Sequence, residues 1–173
     1  MMKPAMPWRN LTDEALSAQC RWEAFRARGP GGQHRDKTNS AVRVTHLPTG
    51  ISATGGESRS PRENRIHALK RLRLKLAIEI REPIDRRTFA PPAWFVEARH
   101  LPKGALPDRA PTLKITPRHH AFFEAVGLVL DVIAEMRGDV RASAAMLGVS
   151  TSSLKRFIEQ DGQVLAAVKR LKT

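Results

Sequence analysis

Seven of the chain's twelve prolines fall between Pro83 and Pro117. Proline holds φ near about −65° and has no N–H to donate, so no long helix or central strand can run through such a segment. The chain must be built in parts on either side of a stiff, polyproline-like stretch. The partition expected is an N-terminal tail over 1–10, a compact α+β unit over 11–80, a proline-rich linker or arm over 81–117, and an all-helical region over 118–173. Phe89, Trp94 and Phe95 are unusual in a free linker and predict that part of the arm packs on the first unit.

The first unit reads as a short helix, a small mixed or antiparallel sheet and one long packing helix. "LTDEAL" offers Thr12 as an N-cap ahead of acidic first-turn residues. "CRWEAFRAR" alternates imperfectly, with Cys20, Trp22 and Ala24 on one side. "SAVRVTHL" alternates cleanly: Val42, Val44 and His46 face one way, Arg43 and Thr45 the other. "PTG" marks a turn and "ISATG" a returning strand. A long helix then starts with Ser60 as N-cap, Pro61 in the first turn and Glu63 closing a capping box. Its expected apolar stripe is Ile66, Leu69, Leu72, Leu76 and Ile80, with Arg62, Arg65, Lys70 and Arg73 off it.

In the C-terminal part, Phe122, Val126, Val129, Ile133 and Met136 form a helical stripe ending at Arg137–Gly138. "VRASAAMLGVSTSSLKRFIEQ" resembles a helix-turn-helix, with Gly148–Val149–Ser150 as the turn and Lys155 and Arg156 on its second helix. "QVLAAVKRLK" closes the bundle.

Between the first two strands lies "RARGPGGQHRDKTNS", residues 26–40. Its glycines permit backbone angles and close approaches that other residues resist. One reading is an ordinary hairpin turn; the other is a tip whose backbone touches a substrate. Charge bears on the choice. The net charge is +13, and residues 1–80 carry 15 basic and 7 acidic side chains, against balances of only +3 for 81–117 and +2 for 118–173. Such a surface suits a polyanion, and nucleic acid fits better than a membrane. The best apolar stretch, "AFFEAVGLVLDVIAEM", is broken by Glu124, Asp131 and Glu135 and reads as a core helix. A single cysteine, Cys20, cannot form an intramolecular disulfide and fits a reducing compartment. "MMKPAMPWRN" has no secretory h-region.

The series "GPGGQH", "DKT", "SAVRVTHLPTG" and then "RS" and "NR", in this order and spacing, resembles the catalytic domain of class I peptide chain release factors from about Leu11 to Leu76. The resemblance implies hydrolysis of the ester joining a nascent peptide to tRNA in the ribosomal peptidyl transferase centre, with Gly31, Gly32 and Gln33 as the catalytic residues. Attack by water develops a negative oxygen that a positioned backbone N–H can stabilise. In the family that donor is the glutamine amide, here Gln33, whose side chain helps to orient water. No metal or cofactor is implied. Arg26, Arg28, Arg35, Lys37 and Arg43 become candidates for RNA phosphate contacts, as do Arg59 and Arg65 at the "RS" and "NR" positions. His34 is read as structural or RNA-contacting, and Asn39 and Ser40 as setting the turn into the strand. The sequence departs from the family's common pattern at Asp36, where asparagine is usual, and at Pro61, where glutamine is usual.

No segment reads as a stop-codon discriminator, which points to codon-independent release, as in small ribosome-rescue hydrolases. The partners expected are large-subunit rRNA and P-site peptidyl-tRNA, with an accessory protein as one candidate for residues 118–173. A monomer in the cytoplasm, or alternatively in an organelle matrix, is expected. The competing readings are a DNA-binding regulator built on the helix-turn-helix and a non-catalytic RNA-binding protein.

Overall fold

The computed structural model describes residues 8–25, 40–101, 103–104 and 109–171. The chain divides into two compact units, Met1–Leu76 and Ala77–Thr173. The architecture is α+β in the first and predominantly helical in the second, consistent with the expected fold class.

In the first unit, a turn of 3-10 helix (Trp8–Asn10) precedes α1 (Asp13–Ala18). Thr12 caps α1 by accepting from the Ala15 amide at 3.2 Å. Strands β1 (Cys20–Phe25), β2 (Ala41–His46) and β3 (Ser52–Gly55) form an antiparallel sheet in that order. The alternation in β2 is realised: Val42, Val44 and His46 are buried and Arg43 is exposed. Trp22 pairs with Val44 and Val44 with Ala53, so the inner face is continuous across all three strands. The β2–β3 turn closes through the Gly50 amide donating to His46 O at 2.8 Å, with Gly50 at φ 75°.

Helix α2 (Pro61–Glu79) begins as expected, but its capping box closes by a different route. Ser60 Oγ accepts from the Glu63 amide at 3.3 Å. The Glu63 carboxylate accepts from the Ser58 hydroxyl, and that hydroxyl accepts from the Ser60 amide at 3.0 Å. The buried stripe also differs from the one expected. It runs through Asn64, Ala68, Leu72 and Leu76, while Ile66 is 48% exposed. The cause is Gly55: a Cβ there would fall inside contact distance of the Asn64 carbonyl oxygen and 3.0 Å from the Ala68 amide nitrogen. The inward track of the helix is therefore its small-residue, i to i+4 line, and Ile66 lies about 200° around the axis from Asn64. Arg73, expected off the stripe, is buried, with Nε donating to Asp13 at 2.7 Å and Nη2 to Leu11 O at 2.6 Å. Two further cations of α2 serve the outer strand of the sheet: Arg71 Nη1 donates to Thr54 O and Lys75 Nζ to Ser52 O, each at 2.8 Å.

The second unit contains α3 (Ala93–Glu97), a two-stranded ribbon of β4 (Arg99–His100) and β5 (Thr112–Leu113), and helices α4 (Phe122–Glu135), α5 (Val140–Leu147), α6 (Thr151–Glu159) and α7 (Gly162–Leu171). Helix α4 is central, with Ala125 to Ile133 buried throughout. Its Asp131 side chain is 1% exposed and pairs with Arg81 at 2.8 Å. Helices α5, α6 and α7 bury one face each and are capped by side chains. Asp139 accepts from the Arg141 and Ala142 amides, Ser150 from Ser153, and Asp161 from Gln163 and Val164. Gly148, at φ 64°, ends α5. The ribbon docks on α6, with Leu113 N donating to Ser153 Oγ at 2.7 Å and Ser150 N to Pro111 O at 2.8 Å. Phe95 and Ile115, from the proline-rich stretch, are fully buried. No helix among the described residues is long and apolar enough to cross a membrane.

Candidate functional site

Gly31, Gly32 and Gln33, and with them Arg26, Arg28, His34, Arg35, Asp36, Lys37 and Asn39, lie outside the described residues. The structure does describe the frame that holds both ends of this segment. It leaves β1 after Phe25 and enters β2 at Ala41, and these two residues are register partners.

One buried side chain fastens that root. Asn64 Nδ2 donates to Ser40 O at 2.6 Å and to Ser58 O at 2.8 Å, and Asn64 Oδ1 accepts from the Ser58 amide at 2.9 Å. The asparagine is completely buried at the start of α2, so three backbone groups from two loops are satisfied by one amide. It stands in the "NR" pair noted in the sequence, where attention falls on Arg65 rather than on Asn64. A polar residue at the first inward position of an otherwise apolar helix track is the signal that marks it.

The three arginines predicted as RNA contacts and described here have different surroundings. Arg43 is exposed, with its guanidinium carbon 5.4 Å from the centre of the Phe25 ring. Arg65 lies 5.2 Å from the centre of Trp22. Arg59, on the β3–α2 connection, is exposed and makes no hydrogen bond or ion pair among the described residues. Arg65 also shares a shallow cleft with Trp22, Val42, Pro61 and Arg62. On the outward face of the sheet a second concavity collects Arg21, Glu23, Arg43, Thr45 and Lys75. These positions leave Arg43, Arg59 and Arg65 on the surface of the unit that holds the loop root.

Three side chains of kinds that often serve hydrolysis, His46, Cys20 and Glu57, are engaged in local structure. His46 is buried between Thr49 Oγ1, 2.9 Å from Nδ1, and Gln19 Oε1, 3.1 Å from Nε2. With the Gln19 oxygen facing Nε2, the neutral ring carries its proton there and accepts at Nδ1 from the Thr49 hydroxyl. Burial lowers its pKa from the ordinary histidine value. The ring therefore braces the β2–β3 turn, which gives the "H-PTG" pattern a structural cause. Cys20 Sγ donates to Leu16 O at 3.1 Å, and burial pushes its thiol pKa up, away from the nucleophilic thiolate. Glu57 is ionised to low pH: its hydrogen bond from Arg71 brings its pKa down to about 2. Among the described residues no group of three or more His, Cys, Asp or Glu side chains is placed to hold a metal ion.

The RF-1 domain family matches residues 13–89. Over a longer stretch the chain is similar to peptide chain release factor 1 of Acidiphilium cryptum (strain JF-5), 33% identical over 141 residues, covering 76% of this chain and 40% of that protein. It is 48% identical over 67 residues to peptide chain release factor 2 of Phenylobacterium zucineum (strain HLK1), covering 39% of this chain and 18% of that one. To peptide chain release factor 1 of Ureaplasma parvum it is 52% identical over 72 residues, with coverage of 41% and 20%. The chain thus spans two fifths or less of the length of these relatives. The motif series and the match over 13–89 mark that part of the chain as an RF-1 domain, similar to the corresponding part of these peptide chain release factors.

Proposed function

We propose that this protein hydrolyses the ester of peptidyl-tRNA on the ribosome, releasing the nascent chain without reading a codon. The observation that carries the reading is an intact Gly31-Gly32-Gln33 inside the matched domain, on a segment flanked by the register partners Phe25 and Ala41 and held at Ser40 by Asn64. Gln33 enters the peptidyl transferase centre, where its backbone N–H stabilises the developing oxyanion and its side chain orients the attacking water. Gly31 and Gly32 let the tip pass through a narrow RNA-lined site. One oxyanion donor is worth about 10²–10³ in rate, so most of the remaining acceleration comes from placing water against the ester. The sequestered Cys20 and His46 support a mechanism that uses neither as nucleophile or base.

Codon independence is supported by what accompanies the domain. The described residues of the second unit form a helical bundle with a two-stranded ribbon, and in its sequence no segment reads as a stop-codon discriminator. Arg26, Arg28, Arg35, Lys37, Arg43, Arg59 and Arg65 take the RNA phosphates, with large-subunit rRNA and P-site peptidyl-tRNA as partners.

The test is single-turnover release from ribosomes carrying peptidyl-tRNA on three templates: a stop codon, a sense codon with downstream mRNA, and mRNA truncated at the P site. Release on the truncated template, abolished by Gln33→Ala with ribosome binding retained, supports the proposal. Release confined to the stop-codon template refutes codon independence. Release that survives Gln33→Ala refutes the catalytic assignment.

A further inference from the structure

Helices α5 and α6, joined by the turn Gly148–Val149–Ser150, form a helix-turn-helix whose outward face takes no part in the bundle. On α6, Ser153, Leu154, Phe157 and Ile158 are buried. Ser152, Lys155, Arg156 and Glu159 are all exposed, and their i, i+3, i+4, i+7 spacing sets them on one stripe. Lys155 and Arg156 have no ion-pair partner within the described residues, and Arg141, exposed at the start of α5, adds a third unpaired cation.

The overall balance of +2 for residues 118–173 understates this local charge. Of the six carboxylates there, Asp131 and Glu135 pair with Arg81 and Arg86, and Asp139 and Asp161 cap α5 and α7. On the stripe itself a single acid, Glu159, stands against two cations.

We infer that this α6 stripe is a second RNA-binding surface, contacting the backbone of folded RNA through Lys155 and Arg156. The choice of RNA rests on the ribosomal reading above. Independent binding to duplex DNA draws its affinity from neutralising many phosphates, and two or three cations are too few for that. A second contact on a chain whose residues 1–80 already carry +8 needs far less, because the first contact raises the effective concentration of the second. RNA also offers 2′-hydroxyl donors along a wide, shallow minor groove. Glu159 and the Ser152 hydroxyl, which flank the cations, can accept from them, whereas beside a DNA backbone the carboxylate only repels.

The test compares the full-length wild type with Lys155→Gln/Arg156→Gln for ribosome binding, by co-sedimentation between about 50 and about 200 mM KCl. Both side chains are exposed and unpaired, so circular dichroism and Tm should not change. Loss of two phosphate contacts should reduce the slope of log K against log salt by about 1.5, with a correspondingly weaker Kd at the lower salt. An unchanged Kd and slope overturn the inference. Weaker binding with an unchanged slope also overturns it, since that is the behaviour of a protein partner. So does tighter retention on a B-form DNA duplex than on ribosomes. Gln33→Ala measured alongside keeps the two proposals separable: it must lose release and keep binding whatever the α6 variant does.

Discussion

Replacing Asn64 by alanine should loosen the root of the 26–39 segment, and the size of the effect follows from three hydrogen bonds. Removing the amide leaves Ser40 O, Ser58 O and the Ser58 amide without their partner at 2.6, 2.8 and 2.9 Å. A buried group deprived of its partner costs about 1–3 kcal/mol. Ser40 and Ser58 are half-buried, so water can reach part of the gap, and about 1 kcal/mol each is the better figure, or about 3 kcal/mol in all. The assay is urea unfolding followed by tryptophan fluorescence in a Trp94→Phe background. Of the chain's three tryptophans, Trp8 and Trp22 then remain, both in the first unit. With a slope of about 2 kcal/mol per molar urea, the midpoint should fall by about 1.5 M. Asn64→Asp should be no better at neutral pH, because a carboxylate then faces two carbonyl oxygens, and should partly recover as the acid protonates. Release should fall further than stability explains, since misplacing a catalytic group by about 1 Å can cost about 100-fold. A midpoint shift below about 0.3 M, or an aspartate variant equal to wild type, would refute the reasoning.

Gly55→Ala should destabilise the first unit by about 1–3 kcal/mol or more, because backbone on α2 blocks the new methyl; a Tm unchanged within error would show that β3 can withdraw freely. The depressed pKa of His46 makes stability pH-dependent. The unfolded histidine takes up a proton near about pH 6.5 while the folded one resists, so stability should fall as pH drops below that value. Melting curves of wild type and His46→Gln across that range should converge on the acid side if His46 is the cause, and stay parallel if it is not. In the second unit, Asp131→Ala removes the buried carboxylate that pairs with Arg81 and accepts from the Glu82 amide, and should cost about 3 kcal/mol, read from the Trp94 signal; a loss under about 1 kcal/mol would mean that water takes over the pairing.

What the sequence revealed depended on how local the cause was. Thr12 acts on an amide within a turn of itself, and its position ahead of an acidic first turn is enough to assign it; Gly148 and Ser150 fall in the turn that the sequence marks between α5 and α6. The β2 alternation was equally plain, since a strand with one buried face writes that face at every second residue. The inward face of α2 was not, because it is chosen by a glycine on another element. Hydrophobicity favours Ile66, but the close approach at Gly55 selects Asn64 and Ala68, and the isoleucine is left outside. Arg73 was misplaced for a similar reason: its partners, Asp13 and Leu11, are about sixty residues away in sequence. For the site, the motif residues were legible through their order and spacing, whereas the asparagine holding their frame became evident only once Ser40 and Ser58 were seen to converge on it.

The two α2 cations that reach back to β3 bear on how the isolated protein behaves. An outer strand with open carbonyls is a template on which another chain can extend the sheet. Arg71 and Lys75 occupy the carbonyls of Thr54 and Ser52, so a strand arriving there meets two occupied acceptors and two positive charges. Neutralising both side chains would open that edge to self-association, with fibrillar or amorphous aggregates growing from an otherwise folded unit. The same commitment withdraws two cations from the pool available to a polyanion, so the formal charge of the first unit overstates the number of ions it can release on binding.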